Sequence, residues 1–164
     1  AIYLDDGMSN VTVSGNISVG GGEYFVHYHG AQNIVVTNNV IYASAGGSEL
    51  GFYQSSSYGA GMSGDTFSHN IVYSSGNWHS TFWNISGWNS GTDAGLSLHD
   101  NMYYSATGQT PPNTTITDTN RYLVDPQFVN VSSGNYALQS TSPAYAELSW
   151  VDIPSDQGPL PYLS

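Results

Sequence analysis

The stretch SNVTVSGNI, from Ser9 to Ile17, returns nearly unchanged as QNIVVTNNV, from Gln32 to Val40. Two further echoes end in HNIVY and DNMYY. An asparagine followed by an apolar residue marks each copy: Asn16–Ile17, Asn39–Val40, Asn70–Ile71 and Asn101–Met102, at spacings of 23, 31 and 31. Apolar residues alternate ahead of these asparagines, as Val11 and Val13, Ile34 and Val36, Phe67, and Leu96 and Leu98. Period two is the mark of a strand with one face on a core. Helix formers are few, while β-branched residues and glycine are plentiful. A short unit of two or three strands with Gly-rich turns is one coil of a parallel β-solenoid.

Stacked coils place equivalent residues about 4.8 Å apart. The recurring asparagine is therefore expected to form a ladder, each amide bonding to backbone and to the next rung. Asn16 is expected to be a buried rung, with its Asn-x-Ser sequon silent. The 31-residue coils carry insertions, Gln54 to Gly64 and Trp88 to Gly95. Loops on a rigid stack are where binding sites tend to lie. The pattern breaks at Thr107. Residues 1–106 read as coils and 107–164 as a C-terminal cap with an extended tail, in the same domain. Within it, Asp125 to Ala146 is expected to cover the last coil.

Charge narrows the partners. Twelve acidic residues face one base, Arg121, for a formal charge of −11. Nucleic acid and anionic membranes need Lys or Arg against phosphate, so neither is expected as a partner. The 39% hydrophobic and 13% aromatic content excludes disorder. There is no cysteine for a thiolate, disulfide or metal site. No apolar run is long enough to span a membrane. Sequons at Asn10, Asn16, Asn84, Asn113 and Asn130 fit a secreted glycoprotein. The chain lacks an initiator Met and opens on a strand-like AIYLDD, so it reads as a processed piece of something longer.

Two stretches, IYLDDGMSNVTVSGNI and YHGAQNIVVTNNVIY, resemble consecutive coils of the right-handed parallel β-helix carbohydrate-active enzymes, the pectin-lyase-like superfamily. DPQFVN…GNYALQSTSPAYA resembles the ending of its glycoside hydrolase and polysaccharide lyase members. The resemblance spans Ala1 to about Ala146, with fewer coils than the family usually carries, so it is to the C-terminal portion of such an enzyme. It implies a groove along the outside of one sheet, where carboxylates act as acids, nucleophiles or metal ligands. It also implies that the N-terminal part of the same enzyme, or another chain, caps the first coil.

Stacking at 23 residues sets Ile2 under Phe25, Asp5 under Tyr28 and Asp6 under His29. Asp5, Asp6, Tyr28 and His29 then form an outer patch, with His27 leaning into the core. Hydrolysis of a glycoside needs two carboxyls, about 5–5.5 Å apart for retention or about 6.5–9.5 Å for inversion. Asp5 leads the catalytic candidates, with Asp6, Glu23 and Glu49 as possible partners. Asp6–Gly7 equally fits a turn. A lyase would instead use His29 or Tyr28 as base, with Ca²⁺ on Asp5 or Asp6. His27 and His29 could hold a metal, but no third ligand is evident. Tyr53, Tyr58, Trp78, His79, Trp83 and Trp88 are candidates to stack on sugar rings, or, with Phe82, to fill the wider coils. The reading is thus an extracellular glycoside hydrolase with no cofactor beyond possible calcium. The alternatives are a polysaccharide lyase and a non-catalytic carbohydrate-binding or adhesion solenoid.

Overall fold

The short strands come in triplets. The structure, a computed structural model, describes residues 2–5, 7–20, 24–43, 50–54, 63–78, 83–87, 95–111 and 117–154, with 50–54 and 83–87 described in backbone only. The first triplet is β1 (Ile2–Leu4), β2 (Thr12–Ser14) and β3 (Ile17–Val19). The second is β4 (Val26–His29), β5 (Val35–Thr37) and β6 (Val40–Ala43). The third is β7 (Leu50–Gln54), β8 (Asp65–Ser68) and β9 (Ile71–Ser74), and the fourth is β10 (Trp83–Gly87), β11 (Leu96–His99) and β12 (Met102–Ser105). After these come β13 (Asp118–Thr119), β14 (Phe128–Asn130), β15 (Asn135–Leu138) and one helical turn, α1 (Ala144–Glu147).

Each sheet takes one strand from every triplet, and β13 extends the second. Sheet one runs β1-β4-β7-β10, sheet two β2-β5-β8-β11-β13, and sheet three β3-β6-β9-β12. All pairings within these three sheets are parallel. The all-β reading holds, and so does the repeat that predicted it. Pairing continues past residue 106, because β13 joins sheet two and Tyr122 bridges to Met102.

The corners explain the repeated sequence. Gly15, Asn38, His69, Asp100 and Asn120 all have positive φ, between 53° and 70°. Asn10, Asn33, Gly64 and Gly95 form a second such column. Glycine, asparagine and aspartate tolerate this left-handed conformation best, which restricts what each corner can carry.

The asparagine ladder is present. Asn16 Nδ2 donates to Asn39 Oδ1 at 2.9 Å, Asn39 Nδ2 to Asn70 Oδ1 at 2.9 Å, and Asn70 Nδ2 to Asn101 Oδ1 at 3.1 Å. The main-chain N–H of each of these three donors goes to the same oxygen. Asn39, Asn70 and Asn101 are fully buried. Asn16 is exposed rather than buried, because it is the end rung. Its side chain is nonetheless committed, since Nδ2 also donates to the Ser14 carbonyl.

One core lies between the three sheets. Leu4 and Tyr28 from sheet one, Val13, Val36, Phe67 and Leu98 from sheet two, and Ile41, Val72 and Tyr103 from sheet three all belong to it. Sheet three is buried on its other face too. There Val40, Ile71 and Met102 pack under Phe128, Leu138, Ala144, Leu148 and Trp150. The C-terminal segment therefore lies along the side of sheet three instead of covering the end of the repeats as expected. Its reach is long: Tyr73 meets Phe128, Tyr42 meets Tyr136, and Asn38 exchanges two hydrogen bonds with the Val151 backbone. The cause is the apolar column Val40–Ile71–Met102, which needs a cover that the strand alternation alone does not supply.

Candidate functional site

A one-residue change of register decides what sheet one shows to solvent. The observed pairs are Ile2 with Val26, Tyr3 with His27 and Leu4 with Tyr28, an offset of 24. At β2 and β5 the offset is 23, Thr12 pairing with Val35. The connection after β1 is thus one residue longer than the one after β4. Because strand faces alternate, a slip of one residue exchanges inside for outside. Tyr28 is consequently a core residue, fully buried, and not part of an outer patch. Its hydroxyl donates to the Thr66 carbonyl at 3.3 Å. Burial, with the Asp65 charge adding to it, raises its pKa well above the ordinary value. Conversely, His27 is not inward but half-buried beside Tyr3.

The outer face of sheet one then carries Tyr3, Asp5, His27 and His29. His29 Nδ1 lies 3.2 Å from Asp5 Oδ1, and the Asp5 side chain is 68% exposed. The Tyr3 ring contacts both imidazoles, with centroids at 4.8 Å from His27 and 5.5 Å from His29. Tyr24 adds a ring 5.0 Å from His27. Register continues the row, with Tyr53 and Ser86 at successive positions after His29. Trp83 sits in register with Leu50 and Val26, a column that belongs to the core at Val26. The chain enters residues 55–62 and 88–94, outside the described residues, from the strand ends carrying this row.

Asp5 also closes a turn, its carbonyl accepting the Met8 N–H at 3.1 Å while Gly7 takes φ +79°. The arrangement offers an exposed carboxylate, an imidazole bonded to it and a flanking aromatic strip. If Nδ1 of His29 carries the proton toward Asp5, Nε2 keeps a lone pair for acid–base work.

Asp6, Glu23, Glu49, Tyr58, His79, Phe82 and Trp88 lie outside the described residues, and Tyr53 and Trp83 are described in backbone only. Trp78 is not an exposed sugar platform. It is 6% exposed in the core, and its indole N–H donates to the Gln109 carbonyl at 2.8 Å. Among the described residues no three His, Asp or Glu side chains are placed to hold a metal ion. Likewise, no described helix is long and apolar enough to cross a membrane.

Three acidic groups escaped the sequence reading. Asp65 is buried in the core, where Oδ1 accepts the Ile34 N–H at 2.9 Å and Oδ2 has no partner among the described residues. Burial pushes its pKa up to about 7, against a smaller opposing pull from Ile34. Asp118 occupies the register position of Leu98, and its Oδ2 accepts from Asn101 Nδ2 at 2.8 Å and from the Tyr103 hydroxyl at 2.6 Å. Burial raises its pKa as well. Asp100, at a left-handed corner, lies 2.8 Å from His99 Nδ1, and this bond chiefly lowers its pKa. His69 packs edge-on against His99. Position in the repeat was the available signal, because 65 and 118 interrupt otherwise apolar inward columns.

No family model, curated protein or solved structure matches the chain.

Proposed function

We propose that this protein is a right-handed parallel β-helix that acts as a secreted glycoside hydrolase, binding its polysaccharide along the outer face of sheet one. The β-helix reading is supported by three parallel sheets that each take one strand from every triplet. The hand rests on the strong preference of parallel β crossovers for the right-handed sense. The functional reading is carried by one observation, the exposed Asp5 carboxylate paired with His29 beside Tyr3 and His27.

In this reading the rings of Tyr3 and Tyr24 stack on sugar C–H faces. Asp5 takes a proton from water, whose oxygen attacks the anomeric carbon. The glycosidic C–O bond breaks, and the departing oxygen receives a proton from a second carboxyl. Asp6, next to Asp5 in the chain, and Glu23, just ahead of Tyr24, are the candidates for that acid.

A polysaccharide lyase is the second reading, favoured by the same His29–Asp5 contact. His29 Nε2 would take the proton beside a uronate carboxylate while Asp5 orients the ring; a C=C bond forms as the neighbouring glycosidic C–O bond breaks, and the departing oxygen takes a proton from water. Calcium on Asp5 could neutralise the uronate.

Incubation with a panel of polysaccharides tests the assignment, using the parent chain, Asp5→Asn and His29→Gln. New reducing ends without the ultraviolet absorbance of unsaturated uronates, lost in Asp5→Asn, are the expected result. Unsaturated products lost in His29→Gln would establish the lyase. Retention of a polysaccharide with no product would leave a carbohydrate-binding module.

A further inference from the structure

Sheet two has an outer face that the proposed site does not use. Strand alternation puts Val13, Val36, Phe67 and Leu98 in the core and their neighbours outside. Register sorts those neighbours into two rows that cross the strands. One row is Thr12, Val35, Thr66 and Ser97, and the other is Ser14, Thr37, Ser68, His99 and Thr119. All but Val35 and His99 carry a hydroxyl. Successive strands lie about 4.8 Å apart and alternate residues of one strand about 6.6 Å apart, so the hydroxyls form a two-dimensional grid. The asparagine ladder follows β2, β5, β8 and β11 at the adjoining corner and holds these strands in register.

A second observation concerns the hydroxyls themselves. Among the described residues, none of them makes a side-chain hydrogen bond. This includes Ser68, which is only 6% exposed. A buried hydroxyl is ordinarily met inside the protein. Strand alternation turns this one outward, toward whatever lies on the face. The chemistry of the grid narrows that partner. Neither row holds a carboxylate, Lys or Arg, on a chain with twelve acidic residues. Phosphates and other ions therefore find no counter-charge there. His99 is the one ring in the rows, whereas sugar rings are held by aromatic faces. Val35 is the one aliphatic residue, too little for the apolar centre of a protein interface. Ordered water fits what is left. A hydroxyl offers one donor and two acceptors, so it can take the place of a lattice water. Intervals of the size seen here recur in the oxygen lattice of ice.

We propose that the outer face of sheet two binds ice. The hydroxyls of Thr12, Ser14, Thr37, Thr66, Ser68 and Ser97 each hydrogen-bond a water of the ice surface, and the threonine methyls with Val35 fill the spaces between them. His99, paired with Asp100 and packed against His69, bounds the face on one side. The inference stands on the register of sheet two and on its unmet hydroxyls, and is independent of the hydrolase reading.

The test grows ice slowly in a dilute solution of the full chain and compares the protein taken into the ice with that left in the liquid. The gap between melting and freezing points is read on single ice crystals in the same solution. The parent is expected to enter the ice and to open such a gap. Thr66→Lys, on a middle strand of the grid, should abolish both. Val129→Lys, the same charge added at an exposed position of the C-terminal cover, should keep both. Ser97→Lys, on the next strand of the grid, serves if the urea midpoint shows that Thr66→Lys fails to fold. Exclusion of the folded parent from ice would overturn the inference. So would equal entry by the parent and the grid variants. Retention on insoluble cellulose or chitin that Thr66→Lys abolishes, with no entry into ice, would make this a carbohydrate face and overturn it too.

Discussion

At the scale of single residues, the buried polar groups divide into those that are fully met and those that are not. Asn70 donates to the Val36 and Ser68 carbonyls and to Asn101, and accepts twice from Asn39. Asn70→Ala strands several of these buried groups at once. The expected cost is about 3 kcal/mol or more, since each buried unmet group costs about 1–3 kcal/mol. Asn16→Ala, at the exposed end, should cost about 1 kcal/mol. Urea midpoints of the two variants measure the ratio, and equal losses would mean that the ladder does not bear on stability.

Asp65 is the opposite case. Its folded-state pKa of about 7 lies above the ordinary 3.8, so the folded chain holds this proton more tightly than the unfolded chain does. Its contribution to stability is full below about pH 4 and falls as pH rises toward about 7, where the loss is complete. Asp65→Asn keeps an oxygen for the Ile34 N–H and removes the ionisation. It should therefore flatten the decline in stability between those limits, read from denaturation midpoints across pH. Asp118, raised in the same direction, adds a decline of the same sign. If Asp65→Asn leaves the slope unchanged and Asp118→Asn removes it, the titrating group is Asp118.

At the scale of elements, strand identity was legible because period two and the recurring asparagine are both local signals. Register was less so. The 23-residue echo is correct for β2 with β5 and for β3 with β6, but sheet one adds one residue after β1. That single residue moved Tyr28 into the core and His27 out of it, while leaving Asp5 and His29 together on the surface. No property of the residues in the turn announces its length; only the pairing does. The side cover on sheet three was equally hidden. Val40, Ile71 and Met102 each follow a ladder asparagine and look like ordinary strand residues, so their second partner is visible only once the C-terminal segment is in place. Phe128 is central to that cover, buried against Tyr73 and Tyr136. Phe128→Ala should cost about 3–5 kcal/mol. It should also raise protease cleavage within β14 and β15 well before the repeats are cut. Simultaneous cleavage of both would show that the cover and the repeats unfold as one unit.

At the scale of the whole molecule, every described strand of the repeats pairs with neighbours one triplet away, so stability should be distributed along the repeat axis. A middle triplet has partners on both sides, while among the described residues β1, β2 and β3 have partners on one. Opening from an end breaks one set of pairings, whereas opening from the middle breaks two. Amide exchange should therefore be slowest at Val36, Phe67 and Ile71, which are fully buried, and fastest at Thr12, Ser14 and Ile17. The protein's −11 charge, with Arg121 as its one Lys or Arg, favours the same order at low salt, because self-repulsion acts most freely where the fewest contacts oppose it. Added salt should then protect the end strands more than the middle ones. The measurement is native-state exchange at two ionic strengths, read residue by residue. A uniform exchange profile would mean that the repeats open only together with the C-terminal cover, and that the cover joins the triplets into a single cooperative unit.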